Sequence, residues 1–444
     1  MVTFYQAPKR TNNAPKQLKS LDTDGYDHQL RAVSMYQHKP LFITGAMSGE
    51  TINARVYRQT SKKGEAVATS IVHSHSERIE PRCLHFLNCG GCQLQMMPSD
   101  YQRSGKAHHL KDQLSHQLKI TIEPSIIHGE NYGYRRRARL QVNAQYQLHF
   151  MAIDGKQAAA ITECPVLVPA LEALIKPVNQ WLLTHKPKVT HVELISDDTT
   201  VGLVVRHTQP VHLGVRQCLA DALGGPSIWF KASTGSALTD IQGNRVDPEL
   251  QYRLEHDHRA VTLNFRPHHF VQSNPQVNQA MVNNALSWLA LSADDRVLDL
   301  YAGMGNFTLA LSQHCHEVVA VEVSHEMVIQ GKRNAASNGC ENVRWHTADL
   351  SEPNSLDRWS SHVDAVLMDP PRAGAPEVVK QIVSILPGRV LSVSCNPATF
   401  VRDAKPLLAA GYQLTKIALI DMFAQTAHSE VMGLFERKTK HNKN

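Results

Sequence analysis

Long apolar runs are missing from this sequence. No stretch approaches the roughly 20 residues that cross a bilayer, so no membrane span and no membrane partner is expected. The opening segment, MVTFYQAPKRTNNAPKQ, is polar and basic without an apolar core, so a signal peptide is not expected either. Cysteine is scarce, at 8 of 444 residues, and three of the eight crowd into ten positions. That distribution excludes a secreted disulfide framework and fits a reducing cytoplasm, where clustered thiols mean metal or catalysis. Charged residues are 19% against 42% hydrophobic, which excludes a disordered chain. The length exceeds what one core serves, so two or three domains are expected. The net charge of +6 is mildly basic and points to an anionic partner.

The rest of the chain is organised around RVLDLYAGMGNFT at 296–308. Its apolar first half is of strand type and carries Asp299. It breaks through Gly303 and Gly305 towards a helix at 309–311. A parallel strand turning through glycines into a helix makes a concave site at the strand's carboxyl end. The next strand, 318–321, ends in Glu322, placed to accept ribose hydroxyls. A dinucleotide loop would carry a third glycine where Thr308 stands, so S-adenosylmethionine fits better. An ordinary βα turn would share these glycines.

Upstream, residues 1–14 read as a disordered basic tail. Four short strands (30–33, 40–43, 51–57 and 66–72), with a fifth not placed, suggest a small OB-type β-barrel. Arg55, Arg58, Lys62 and Lys63 give it a basic edge. Cys83, Cys89 and Cys92 follow as C-x5-C-x2-C, with Cys164 further on. Four thiolates suit an iron–sulfur cluster or structural zinc, and a single C-x2-C pair favours the cluster. A helix is expected over 101–118. YGYRRRARL at 132–140 opens a run of strands to about 265, with a hairpin around Asp197 and Asp198. Its four arginines can bind phosphate, although strand alternation splits them between two faces. Asn274 reads as the N-cap of a helix whose apolar face is Val277, Met281, Ala285, Leu286 and Leu289. Five βα units and two closing strands then describe a seven-stranded, doubly wound sheet.

The strands of that sheet leave polar groups in series at their carboxyl ends: Asp299, Glu322, Asp349, Asp369 and Cys395. Cys395, followed by Asn-Pro, is a nucleophile candidate. A thiolate is what C5 methylation of a pyrimidine requires, because attack at C6 is what makes C5 nucleophilic. A base must then remove the C5 proton. Glu430 is the choice and His428 a rival. Asp369-Pro-Pro also leaves amino-group methylation open, although the following Arg372 replaces the aromatic residue expected there. A cluster-bearing RNA-binding protein without catalysis is a further alternative.

DPPRAG at 369–374, SCNPATF at 394–400, DMFAQTAHSE at 421–430, LDLYAGMGNFTL at 298–309 and the segment around Gln272 resemble the RNA uracil-C5 methyltransferases. With the early cysteines and YRRRARL, the resemblance is to the members acting on 23S ribosomal RNA, and it runs nearly end to end. It implies a multidomain chain. A TRAM-type, OB-like barrel would occupy 14–74 and bind RNA. An α+β domain would carry a [4Fe–4S] cluster over 75–92 and 131–267. A Rossmann-like α/β class I methyltransferase would take 93–130 and 268–438. It implies Cys395 as nucleophile and Glu430 as base. Gln272, Tyr301, Asn306, Glu322, Asp349 and Asp369 would hold S-adenosyl-L-methionine, and Cys83, Cys89, Cys92 and Cys164 the cluster. The expected product is 5-methyluridine, made by a cytoplasmic monomer. The sequence departs from the family at 25–30, where GYDHQL stands in place of a small-residue turn.

Overall fold

Alternation of apolar and polar side chains builds the first sheet. In Thr51–Gln59, Ile52, Ala54 and Val56 are buried while Asn53, Arg55 and Tyr57 reach outward. The computed structural model describes residues 16–235 and 237–437, so the tail expected over 1–14 lies outside the described residues. The first sheet comprises β1 (Lys16–Asp22), β2 (Ala32–Tyr36), β3 (Lys39–Thr44), β4 (Thr51–Gln59) and β5 (Gly64–His73), in the order β1-β4-β5-β3-β2. β1 is the strand that could not be placed from sequence. It shows little alternation, and only Leu18 of its seven residues is buried. The sheet closes over a core of its own that includes Leu41, Ile43 and Ile52.

Helix α1 (Ser99–Leu118) and the short β6 (Ser125–Ile127) follow. The second sheet has eight strands. They are β7 (Arg137–Val142), β8 (Leu148–Met151), β9 (Ala158–Ala160), β10 (Val189–Ser196), β11 (Val201–His207), β12 (Ser227–Ala232), β13 (Leu238–Thr239) and β14 (Arg245–Val246). Helices α2 (Pro169–Glu172), α3 (Ile175–His185) and α4 (Leu213–Leu223) lie within this stretch. The hairpin expected around Asp197 and Asp198 is β10–β11, with Asp197 accepting the backbone N–H groups of Thr199 and Thr200 in the turn. β15 (Leu250–His256) and β16 (Arg259–Phe265) form a separate antiparallel pair.

The C-terminal region begins with α5 (Pro275–Leu289). Asn274 caps it by accepting the Val277 N–H at 3.2 Å, and its five expected apolar residues are all buried. Val277, Met281, Leu286 and Leu289 each contribute on the order of 1.5–3 kcal/mol by leaving water, and Ala285 less. The chain then runs β17 (Arg296–Leu300), α6 (Thr308–Ser312), β18 (Glu317–Glu322), α7 (His325–Ser337), β19 (Val343–Thr347), β20 (Ala365–Met368), α8 (Pro376–Ile385), β21 (Arg389–Ser394), α9 (Pro397–Ala409), β22 (Tyr412–Ile420) and β23 (Glu430–Arg437). The sheet order is β19-β18-β17-β20-β21-β23-β22-β6, parallel except for β23. Apolar layers cover both faces.

The sheet therefore has eight strands rather than the expected seven. β6 adds in parallel beside β22, with Ile127 opposite Ile420. Three residues are too few to show a period, and their partner lies almost 300 positions away. Strand order reverses between β17 and β20, which opens a ligand crevice outside their carboxyl ends.

Candidate active site

The loop after β17 turns on residues with positive φ: Tyr301 at 64°, Gly303 at 56° and Gly305 at 107°. A Cβ on Gly305 would lie 2.3 Å from Leu309 Cδ1, so only glycine lets α6 pack this closely. A Cβ on Gly303 would meet open space, leaving the backbone there free to approach a ligand. Glu322, at the end of β18, holds this loop: one oxygen accepts the Gly303 N–H at 3.1 Å and the other the Ser324 N–H at 2.8 Å. Those bonds leave carboxylate lone pairs for hydroxyl donors.

Beneath the loop, Asp299 is buried and accepts a 2.5 Å hydrogen bond from the Thr308 hydroxyl. Burial pushes its pKa up to about 7, helped by Asp369 and Glu322. Asp369 itself is pushed up to about 6 by burial. Asp349 is exposed, and hydrogen bonds from the Ser351 hydroxyl and N–H hold its pKa low. Asn306 is committed elsewhere. Its Oδ1 accepts from Tyr252 and Asn278, and its Nδ2 donates to Asn278 Oδ1, each at 2.9 Å. The amide thus pins the glycine loop to α5 and β15.

The opposite side of the crevice is set by strand register. Ser394 at the end of β21 pairs with Val431 of β23, so Cys395 and Glu430 stand as neighbours across the ladder. Asn396 caps α9 by accepting the Ala398 N–H, with Pro397 at the first helical position, so β21 ends at Ser394 and Cys395 stands just beyond it. The Cys395 pKa is raised by burial and by the charges of Glu430 and Asp369, with Arg372 opposing. Glu430 is pushed up to about 8 by burial and by Asp369. His428 stands in the same wall, and its Nδ1 lies 3.0 Å from Arg372 Nη2. A cavity of about 500 Å³ opens over Cys395. Arg31 just before β2, Tyr57 of β4, Lys106 and His109 of α1, Arg372 and His428 all line it.

The four cysteines of the early cluster share a second cavity, of about 440 Å³. Cys92 and Cys164 are each pushed up to about 12, chiefly by burial and then by neighbouring thiols. Among the described residues, no three of these thiols have their sulfurs all within 4.8 Å of one another. Around a tetrahedral zinc they would stand about 3.8 Å apart, given Zn–S bonds of ~2.3 Å.

A family profile described as tRNA (Uracil-5-)-methyltransferase matches residues 245–438. The 23S rRNA (uracil(1939)-C(5))-methyltransferase RlmD of Edwardsiella ictaluri is 37% identical over 444 residues, 98% of this chain and 99% of that protein. The enzyme of the same name from Shewanella sediminis is also 37% identical, over 98% of this chain and 100% of its own length. The chain belongs to the RNA uracil-C5 methyltransferase family. Its fold agrees with the crystal structure of the Pyrococcus abyssi tRNA (uracil-54, C5)-methyltransferase in complex with S-adenosyl-L-homocysteine. The TM-score is 0.73 at 22% identity, over 94% of this chain and 98% of that one.

The residues expected from sequence come from separate elements: Tyr301 and Asn306 from the glycine loop, Glu322 from the end of β18, Asp369 and Cys395 from the loops after β20 and β21, and Glu430 from the start of β23. Gln272 lies in the loop before α5, where its carbonyl accepts a hydrogen bond from Arg136 Nε at 3.1 Å. That bond corrects one reading of YRRRARL. Arg136 is 2% exposed and packs over the Tyr252 ring, so it cannot meet RNA, whereas Arg139 is exposed.

Sequence reasoning missed two further groups. The Gln93 and Leu94 N–H groups donate to the Gln425 carbonyl at 3.0 and 3.1 Å, tying the cysteine segment to the loop that leads to Glu430. His268 and His269 both contact Glu326 Oε1, at 2.6 and 3.4 Å. Arg266 N–H donates to His269 Nδ1, so the proton of that ring sits on Nε2 and points to Glu326. A metal-bound histidine instead donates through its second nitrogen. The trio is a latch fastening the Gln272 loop to α7. Neither contact has a sequence signal, because each joins segments far apart in the chain.

Proposed function

We propose that this chain is an S-adenosylmethionine-dependent methyltransferase that makes 5-methyluridine in 23S rRNA, at the position its relatives' names give as uracil 1939. One observation carries the chemistry: Cys395 and Glu430 are placed side by side across the β21–β23 ladder, at the carboxyl edge of β21. Cys395 is the nucleophile, adding through its thiolate to C6 of a uracil flipped out of its stack. Glu430 is the base that removes the C5 proton, after which the thiolate leaves.

The crevice suits the methyl donor. Asp299, Asp369 and Glu430 are all shifted towards their neutral forms, and no cation among the described residues offsets them. A positively charged sulfonium matches that deficit. S-adenosylmethionine, when bound, supplies the electrophilic methyl group. Gln272, Tyr301, Asn306, Glu322, Asp349 and Asp369 would hold it, with Asn306 acting through the loop it pins.

Cys83, Cys89, Cys92 and Cys164 would hold a [4Fe–4S] cluster. All four line one cavity of about 440 Å³, which supports this reading. The first sheet is read as a TRAM-type barrel that guides RNA, because Arg31 and Tyr57 line the cavity over Cys395. The cluster domain would span 75–92 and 131–267, and the methyltransferase domain 93–130 and 268–438. The enzyme works as a cytoplasmic monomer in this reading.

The test is to map 5-methyluridine in 23S rRNA from cells lacking the gene, and after incubating that rRNA with purified enzyme and methyl-labelled donor. One methylation at the position equivalent to 1939, lost and then restored, is expected. Label at an exocyclic amino group would overturn the reading.

A further inference from the structure

Arg372 and His428 line the cavity that holds Cys395, and their contact fixes a protonation state. Arg372 Nη2 lies 3.0 Å from His428 Nδ1. A guanidinium donates and never accepts. Nδ1 therefore accepts, and the one proton of the neutral ring sits on Nε2. Nε2 makes no hydrogen bond to any described residue, and the ring is reached from the cavity.

The charged groups facing the ring come from three elements: Arg372 from the loop after β20, Lys106 from α1 and Arg135 from the loop before β7. Phe423 meets it edge-on at 6.0 Å. Desolvation by the surrounding protein, and then those three cations, lower the imidazole pKa and keep the ring neutral. As a base this histidine is disabled, because one nitrogen is occupied by Arg372 and the other already carries a proton. As a donor it is poised.

We propose that Arg372 positions His428 to donate a hydrogen bond from Nε2–H to O4 of the target uracil, stabilising the enolate formed when Cys395 adds to C6. The electrons balance without proton transfer to or from His428. The thiolate pair forms the S–C6 bond, the C5=C6 pair shifts to C4=C5, and the C4=O pair moves onto O4. The C4=C5 pair then forms the bond from C5 to the methyl carbon, the methyl–sulfur bond of the sulfonium breaks with its pair left on sulfur as a neutral thioether, and the O4 pair returns to the carbonyl. A cytosine would present its amino group at this point, so donor would meet donor and cytosine is rejected. His428 is thus a catalytic residue and Arg372 a positioning residue, an inference that rests on the uracil-C5 reading.

The experiment uses an RNA fragment carrying 5-fluorouridine at the target position, with S-adenosylmethionine. Fluorine cannot be removed as a proton, so methylated covalent adduct accumulates. Its rate reports addition and methyl transfer alone. His428→Leu is expected to slow adduct formation by about 10²-fold, the usual effect of losing one oxyanion donor, with RNA affinity unchanged. His428→Gln keeps an N–H and should recover most of the rate. Arg372→Met should move the His428 ionisation in the pH profile of adduct formation upwards, towards but still below the ordinary imidazole value of ~6.5. Combining it with His428→Gln should remove that ionisation.

The proposal falls if His428→Leu forms adduct at the wild-type rate yet traps ordinary uridine RNA, which would make His428 the base. It falls equally if only RNA affinity changes, or if the Arg372→Met profile matches wild type. Absence of adduct with the wild-type enzyme would remove the uracil-C5 reading, and this inference with it.

Discussion

Lys106 Nζ lies 2.7 Å from Asp421 Oδ1, and each side chain is only 2% exposed. The pair joins α1, near the start of the chain, to the loop that leads to Glu430. Burial lowers the Lys106 pKa, and the contact with Asp421 opposes that shift. Removing one partner strands a buried charge, which typically costs 3–5 kcal/mol. Lys106→Met should therefore destabilise strongly, and Asp421→Asn in the same chain should recover most of the loss. Denaturant melts of the two single variants and the double variant measure the coupling. Additive losses would show that the pair is not coupled.

Cys395 and Glu430 have separable roles. Cys395→Ala should abolish methylation and form no covalent RNA species. Glu430→Gln should add and methylate but leave the C5 proton in place. Release should slow by ~10²–10⁴-fold, as for loss of a general base. Labelled RNA on a denaturing gel should then show a shifted band with the glutamine variant alone. Activity retained in Cys395→Ala would end the C5 mechanism.

Glu430 also ties stability to pH. Its folded pKa of about 8 lies above the ordinary carboxylate value of 4.5, so the folded chain holds this proton longer than the unfolded chain. The stabilising effect is complete below the unfolded value and is lost as pH rises through about 8. Glu430→Gln removes the penalty. Its melting temperature should sit close to wild type near pH 5 and rise above it by pH 9, by an amount worth on the order of a few kcal/mol. An equal offset at both pH values would refute the linkage.

The cysteine cavity should report its occupant directly. Anaerobically purified protein is expected to be brown, with iron and sulfide near four each per chain, as for a Cys-ligated cluster. Stoichiometric zinc with no visible absorbance would refute this. Cys92 lies next to Gln93, whose N–H holds the Gln425 carbonyl. Cys92→Ser should therefore loosen the 421–430 loop, read as faster amide exchange there, while binding of S-adenosylmethionine persists.

Local chemistry was legible and distant return was not. Asn274 announced its helix because an N-cap acts within three residues. The strand boundaries next to Cys395 and at Glu430 were legible because Asn396-Pro397 ends β21 and starts a helix. Alternation exposed the inward face of β4 and warned that the arginines of YRRRARL would part company. It could not say that Arg136 would turn inward beneath the Gln272 loop, since burial there comes from Tyr252, more than a hundred residues away. Neither β6 nor the Lys106–Asp421 pair left any trace in spacing, because each depends on an element made much later.

That late partner has a consequence during synthesis. Ser125 hydrogen-bonds to Ile417 across 292 positions. At about 5–20 residues per second, a ribosome needs roughly 15–60 s to cover that distance. Through this interval α1 has neither Asp421 for its lysine nor β22 for the strand that follows it, and Leu110 and Leu114 wait without their final cover. The first sheet closes on contacts within its own sixty residues. The edge of the last sheet is sealed by a segment translated before the second sheet begins. An expressed fragment starting at α5 would therefore leave β22 as an open edge, a template for strand pairing between molecules.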